Sequence, residues 1–263
     1  MKKNKISSTT QSVYEKIKNL NFTAKRAVTL FSFLVILIIA IAFLGFLSNF
    51  NTRANKITVT GSAQKDIVSD LIVWSGYFSA TSMNLKDAYS KLRSDMTKIK
   101  AFLKSKEVPE NEIVFESIDM HKKFRRVKEA DIEIDVFDGY YLSQNIKIES
   151  KEVDKIEKIS REITELIEQG VELSSNSPEY FYTDIAQLKK IMIGLAAADA
   201  YSRTLQVVKN SNAGLGKLRN AKVGVFQIIG QNSSETFSSG GTFNTHSKNK
   251  TISINVNLEY GIK

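Results

Sequence analysis

The stretch TISINVNLEY, residues 251–260, alternates without a break. Ile252, Ile254, Val256, Leu258 and Tyr260 fall on one side, Ser253, Asn255, Asn257 and Glu259 on the other. A period of two belongs to a β-strand with one packed face and one wet face, as in an antiparallel sheet covered on one side. Upstream of it lie a Ser/Gly/Asn-rich stretch, Gln231 to Asn249, and another apolar run, KVGVFQIIG at 222–230. The connecting stretch reads either as a flexible recognition loop, with Thr236-Phe237 and Thr242-Phe243 amid small polar residues, or as a long hairpin connection.

Earlier in the chain, strand-like and helix-like periods take turns. ITVTG at 57–61 predicts a short first strand closed by Gly61, and DLIVWSGYFSA at 70–80 a longer one rich in β-branched and aromatic residues. Leu85, Ala88, Leu92, Met96, Ile99 and Phe102 then recur at helical spacing, which predicts an amphipathic helix capped by Ser82 or Asn84 and ended near Pro109. EIVFESIDM at 112–120 reads as a strand, and GYYLSQNIKIES at 139–150 as another starting at Gly139; between them, His121 to Asp138 is a charged strand continuation or hairpin loop. Val153, Ile156, Ile159, Ile163, Leu166 and Ile167 mark a second helix stopping at Gly170. After EYFYT at 179–183, Asp184 is the expected N-cap of a third helix whose apolar face would use Ile185, Leu188, Ile191, Leu195, Ala198, Leu205 and Val208. Its GLAAADA segment is small enough to admit a close neighbour. The expected fold is α+β, a mainly antiparallel sheet with amphipathic helices on one face.

Residues 28–47, VTLFSFLVILIIAIAFLGFL, carry no charge and no proline. Twenty residues at about 1.5 Å each span about 30 Å, the thickness of a bilayer core, so a single transmembrane helix is expected to precede the domain. A cleaved signal peptide fits less well, because the apolar run is long and Leu47-Ser48-Asn49-Phe50-Asn51 is a poor cleavage site. Seven basic residues precede the segment (Lys2, Lys3, Lys5, Lys16, Lys18, Lys25 and Arg26) against the single acid Glu15, while only Arg53 and Lys56 follow closely. The expected topology therefore has residues 1–27 as a cytoplasmic basic arm, 28–47 as the anchor, 48–55 as a linker and 56–263 as the exported domain. Val13, Ile17 and Leu20 share one helical face, so the arm either lies on the inner leaflet or is a solvated tail that sets topology.

The net charge of +9 suggests nucleic acid until it is located. The first 27 residues hold +6 of it, leaving 30 basic and 27 acidic residues in the remainder, too balanced for a phosphate-binding footprint. The chain has no cysteine, which excludes disulfides, thiolate metal sites and a cysteine nucleophile.

Taken in order, ITVTGSA, the acidic-then-apolar strand from Asp70, the helix from Leu85, GYYLSQNIKI, LAAADAYSRTLQVV and NAGLGKLRNAKV resemble the SIMPL-domain family, a bacterial group that includes periplasmic immunogenic proteins. The resemblance spans about Lys56 to Lys263. It implies an exported α+β domain that self-assembles, in a family whose biochemical role is mostly not established. One departure is Ser69, where the family usually has proline before the strand-opening aspartate.

No motif assembles a catalytic, cofactor-binding or metal set. Gly214-Leu215-Gly216-Lys217 lacks the flanking residues of a phosphate loop, with Ser211 and Leu218 at the deciding positions, and follows its helix instead of preceding it. It is expected to serve as a helix C-cap and turn. Ser62 and Lys65 have S-x-x-K spacing but sit after a strand, where a serine and a lysine three apart do not share a helical turn. His121 and His246, the only histidines, have no partners at zinc-ligand spacing. Asp131, Glu133 and Asp135 alternate, which fits a calcium or sugar site or, more simply, an exposed sheet face countered by Lys and Arg. The expectation is a non-enzymatic, membrane-anchored envelope protein that acts as a homo-oligomer or through protein contacts, with the lipid bilayer as its other partner and no nucleic acid. The alternative is a ligand-binding or hydrolytic protein built from scattered Ser, Asp and Tyr residues.

Overall fold

The computed structural model describes Val13, Thr29 and residues 31–46, 55–129 and 132–263. The expected basic arm apart from Val13, the anchor's ends at Val28 and Leu47, most of the 48–55 linker, and Asp131 lie outside the described residues. Residues 31–46 form helix α1, with apolar side chains from Phe31 to Phe46 exposed. Among the described residues, no helix is long and apolar enough to cross a membrane.

The elements that follow are β1 (Lys56–Val68), β2 (Leu71–Ser82), α2 (Leu85–Ser105), β3 (Ile113–Glu129), β4 (Ile132–Ser150), α3 (Val153–Glu162), β5 (Glu172–Ser175), β6 (Glu179–Phe181), α4 (Ile185–Asn210), β7 (Leu215–Val223), β8 (Gln227–Gly230), β9 (Thr242–Phe243) and β10 (Asn249–Ile262). The class is α+β. The strands, however, form two sheets where one was expected. β1, β10, β8 and β9 lie side by side with β7 also on β10, and β3, β4, β2 and β5 form the second sheet with β6 also on β2. The chain passes from one sheet to the other at Ser69-Asp70, between β1 and β2. Every registered strand pair is antiparallel except β8 with β9.

Contacts divide the chain into two units. The smaller comprises Met1–Thr58, Thr204–Asn220 and Glu259–Lys263. In it Gly214 and Lys263 exchange backbone hydrogen bonds of 3.0 and 2.8 Å, and Gly216 lies so close to Gly261 that a Cβ would come within 2.6 Å of its carbonyl. The left-handed residue after α4 is Asn212, not a glycine. The GLGK glycines thus serve close backbone approach in β7, which corrects the expected glycine C-cap.

The larger unit comprises Val59–Arg203 and Ala221–Leu258. Its core lies between the second sheet and helices α2 and α3, where Ile72, Trp74 and Phe78 of β2 meet Leu92, Ile99 and Leu103 of α2 and Ile156 and Ile163 beyond. Trp74 is fully buried, and its indole N–H donates to Ser175 Oγ at 3.0 Å; that hydroxyl donates in turn to Ser160 O at 2.7 Å. The buried polar atom is therefore satisfied, as burial requires. Asn84 caps α2 by accepting from the Lys86 N–H, and Gly170, at φ 77°, ends the 3-10 turn after α3. Asp95 of α2 is fully buried and accepts from Lys91 Nζ at 2.7 Å, while Lys91 and Lys98 each reach 2.7 Å to the carbonyls of Gly170 and Gln169. A carboxylate inside the helix face thus organises two ammonium groups that cap the neighbouring turn.

The expected first strand stopped at Gly61, yet β1 runs straight through it. Gly61 has no role as a turn. It faces α4, where a Cβ would stand 2.2 Å from Ala200 N and 2.3 Å from Ala196 O. The small GLAAADA segment admits this close neighbour, as expected. We predict that Gly61→Val lowers the unfolding free energy by about 3 kcal/mol through overpacking, measured by urea denaturation; an unchanged midpoint would contradict the contact.

Candidate interaction surface

Helix α4 carries its apolar residues in an order that the sequence pattern does not predict. The buried positions recur every four residues: Leu188, Met192, Ala196, Ala200, Thr204 and Val208. Of the expected apolar face, only Leu188 and Val208 are on this stripe. Ile191 is 47% exposed, Leu195 52% and Leu205 42%, with Tyr201 also outward. The close approach of β1 selects alanine at positions 196 and 200 of the inner face, and Ile191 and Leu195 beside them point outward. Within the larger unit, Ile191, Leu195, Ala198 and Tyr201 make an exposed apolar helix face.

A second apolar surface lies beside the start of α2. Leu85 and Tyr89 face Ile118, Met120 and Leu142 across an open groove of about 630 Å³. Along the same sheet face follow Tyr140, Phe137 and Phe124, in edge-to-face contacts of 5.2 and 6.0 Å between centroids. Beyond them β3 and β4 leave the body of the sheet as a two-stranded arm, because β2 pairs with β4 only from Tyr140 onward. The described residues of the ambiguous segment from His121 to Asp138 thus continue the two strands, and β4 begins at Ile132 instead of Gly139.

Gly139, at φ 108°, sits in a bulge: Lys122 pairs with Tyr140, but Phe124 pairs with Phe137. One residue of β3, Lys123, therefore opposes two of β4, Asp138 and Gly139. The extra residue reverses which side the even-numbered residues of β4 occupy. Leu142, Gln144 and Ile146 face the helices, whereas Ile132, Ile134 and Val136 face away from them beside Val127. Glu133 and Asp135 take the helix side together, opposite Lys128 and Arg126. Arg126 lies 3.6 Å from Glu133 and 3.2 Å from Asp135. Of the three alternating carboxylates, the two described are thus countered by basic residues, the simpler of the two expected arrangements.

The polar positions singled out in the sequence do not converge. Ser62 and Lys65 stand on β1, an odd number of residues apart and so on opposite sides, and the Ser62 N–H donates to Asp199 Oδ2 at 2.8 Å. That bond and Arg203 beside it hold the Asp199 carboxyl below the usual carboxylate range. His121 is exposed on β3 opposite Tyr141, and His246 is exposed in the loop before β10. A groove of about 440 Å³ on the open side of the second sheet is lined by Ser75, Glu116, Asn145, Lys147 and Glu179 among others. Ser75 Oγ accepts from the Asn176 amide at 3.2 Å, a group unable to take up its proton.

Sequence reasoning missed Lys250. It continues the inward, even-numbered side of the strand whose alternation is clearest, and it is 2% exposed. Its Nζ donates to Tyr180 O at 2.7 Å and to Asn244 O, joining β10 of the first sheet to β6 of the second and to the loop between β8 and β10. Burial pushes the Lys250 ammonium down to about 8, against the opposing pull of Glu235 and Glu179. Around it, Glu235 accepts from the Gly230 N–H and from Asn244, the Tyr180 N–H donates to Thr245 O at 2.7 Å, and the Ser69 N–H donates to Lys248 O at 2.9 Å. This last bond uses an N–H that a proline at position 69 would lack. Asp70 accepts from both the N–H and the hydroxyl of Thr183, each at 2.7 Å. The Gln231 to Asn249 connection is therefore tied into the junction of the two sheets.

Because Lys250 holds its proton less tightly folded than unfolded, the unfolded chain binds more protons between about pH 8 and 10.5, and folding gains stability as pH rises through that window. Lys250→Met removes this titration and orphans two buried carbonyls. The stability of the native protein minus that of Lys250→Met should rise by about 2–3 kcal/mol from pH 7 to pH 10.5, measured by urea denaturation of both proteins. A flat difference would mean that the ammonium is solvated.

Residues 57–260 match the SIMPL family model, described as a protein of unknown function (DUF541). No curated protein matches the chain. The match runs from β1 to the end of β10, through both sheets and all three helices of the domain, and the chain belongs to the SIMPL family.

Proposed function

We propose that the chain is a non-enzymatic cell-envelope protein, held at the cytoplasmic membrane by residues 28–47, whose exported domain works through self-association. The observation that carries this reading is the outward face of α4, with Ile191 and Leu195 about half exposed while Ala196 and Ala200 stand against β1. An amphipathic helix normally buries its larger apolar residues. Here β1 crowds the inner face at Ala196 and Ala200, and Ile191 and Leu195 gain apolar cover when a second copy packs on them. The apolar groove beside Leu85 and Tyr89 supports the same reading.

The apolar run and the basic residues before it support the anchor. The N-terminal arm is then cytoplasmic and residues from Asn49 onward are outside. A hydrolytic role finds less support, since Ser75 in the sheet-face groove is held by an amide and neither histidine approaches it.

Light scattering on the detergent-solubilised full chain should give a protein mass of two or more subunits, and Leu195→Glu should lower it without shifting the thermal unfolding midpoint. A monomer at high concentration would refute the self-association. The absence of cysteine permits a clean topology test. In intact cells with a permeabilised outer layer, a membrane-impermeant maleimide should label Ser239→Cys and spare Ser8→Cys; the reverse pattern would overturn the orientation.

A further inference from the structure

We infer that the β3–β4 arm is a connector between copies of this chain, joining by its edges, with β3 of one copy beside β4 of the next. The inference rests on the self-association proposed above and adds to the α4 face a second surface, with its mode of pairing.

Among the described residues, the arm has two open edges. β3 is the terminal strand of its sheet, and residues 132–139 of β4 lie beyond the reach of β2, whose pairing begins at Tyr140. A strand edge presents unpaired N–H and C=O groups that can extend the ladder into another chain. Charged side chains on an edge ordinarily discourage this, and that is the bland account of the lysines here. The distribution of charge goes further than that account. Within the arm, β3 carries Lys122, Lys123, Arg125, Arg126 and Lys128 with no acid among residues 122–128. β4 carries Glu133, Asp135 and Asp138 with no base among residues 132–138. Each edge therefore repels its own kind. Two β3 edges would oppose basic residues, two β4 edges would oppose acids, and like charges opposite one another destabilise a ladder. Only β3 against β4 places opposite charges across the new pairing. It repeats the arrangement already present inside the arm, where Lys123 and Arg125 each lie 3.6 Å from Asp138 and Arg126 lies 3.6 Å from Glu133.

The side facing away from the helices supplies the second argument. Ile132 is 66% exposed and Ile134 39%, although Val127 already flanks Ile134 on its inner side. A neighbouring β3 would set its own Val127 and the aliphatic stem of Arg125 on their open flank, covering both isoleucines. A two-stranded ribbon in water is marginally stable by itself, and a third and fourth strand remedy that. The pairing is head-to-tail, so each copy offers one donor edge and one acceptor edge. The result is a closed ring or an open filament, not a twofold dimer.

The test uses the full chain in detergent with two single-cysteine variants, Val127→Cys on β3 and Ile134→Cys on β4, one of them bearing a mass tag. A chain without native cysteine can then be cross-linked by a short bis-maleimide only between copies. Mixed populations should give the tagged-untagged heterodimer in several-fold higher yield than either variant gives alone, and 1 M salt should reduce that yield. Equal cross-linking within the Val127→Cys or the Ile134→Cys population would overturn the head-to-tail pairing. No cross-link from a chain that light scattering finds oligomeric would overturn the arm as the interface and leave self-association standing. A monomeric chain would overturn both readings.

Discussion

The buried ammonium of Lys250 is the constraint on which the larger unit depends. A charge at 2% exposure is tolerated only if its hydrogens are placed, and here they bind the carbonyls of Tyr180 and Asn244. Those two carbonyls belong to different parts of the chain, one on the short β6 strand of the second sheet, one in the connection that leads into β10. The same junction takes up the Ser69 N–H, the Thr245 carbonyl and the Asp70 carboxylate. Where β1 leaves one sheet and β2 enters the other, backbone groups would otherwise be left unpaired, since neither ladder can reach them. The loop from Gln231 to Asn249 supplies the missing partners. Its small polar composition gives side chains able to bond backbone at short range, and for that role large apolar residues are unsuitable.

A different limit governs α4. Backbone approach between β1 and the helix leaves no room for a Cβ at Gly61 and little beyond a methyl group at Ala196 and Ala200. At those two positions the inner face is set by steric allowance; toward the start of the helix it holds the larger Leu188 and Met192, while Ile191 and Leu195 point outward. Exposure that looks like a fault of the single chain is the consequence of that packing, and the proposed self-association rests on it.

The arm shows how one residue changes which surface a strand offers. The bulge at Gly139 needs a left-handed φ and a position where a Cβ would stand 2.7 Å from Ser82 O, so glycine alone fits. Distal to it, Ile132, Ile134 and Val136 face away from the helices, and Glu133 and Asp135 face their basic partners. Without the bulge, Ile132, Ile134 and Val136 would share a side with the core. Their separation from the core is a matter of register.

Much of this protein was legible in its residues. The alternation through TISINVNLEY fixed which side of β10 is buried, the spacing from Leu85 to Phe102 located α2, and the ordered resemblance from ITVTGSA to NAGLGKLRNAKV identified the SIMPL family before any coordinates. These are local or linear properties, carried by periods of two and 3.6 or by sequence order. Three things were not legible, and each depends on a neighbour distant in the chain. That Gly61 serves contact with α4, that α4 turns its larger apolar residues outward, and that Lys250 bridges two sheets all follow from which strand meets which helix. The chain's own periods determine what each segment can be. Only tertiary packing decides which face of it is left free to act, because steric room and unpaired backbone groups are set by partners that no single segment contains.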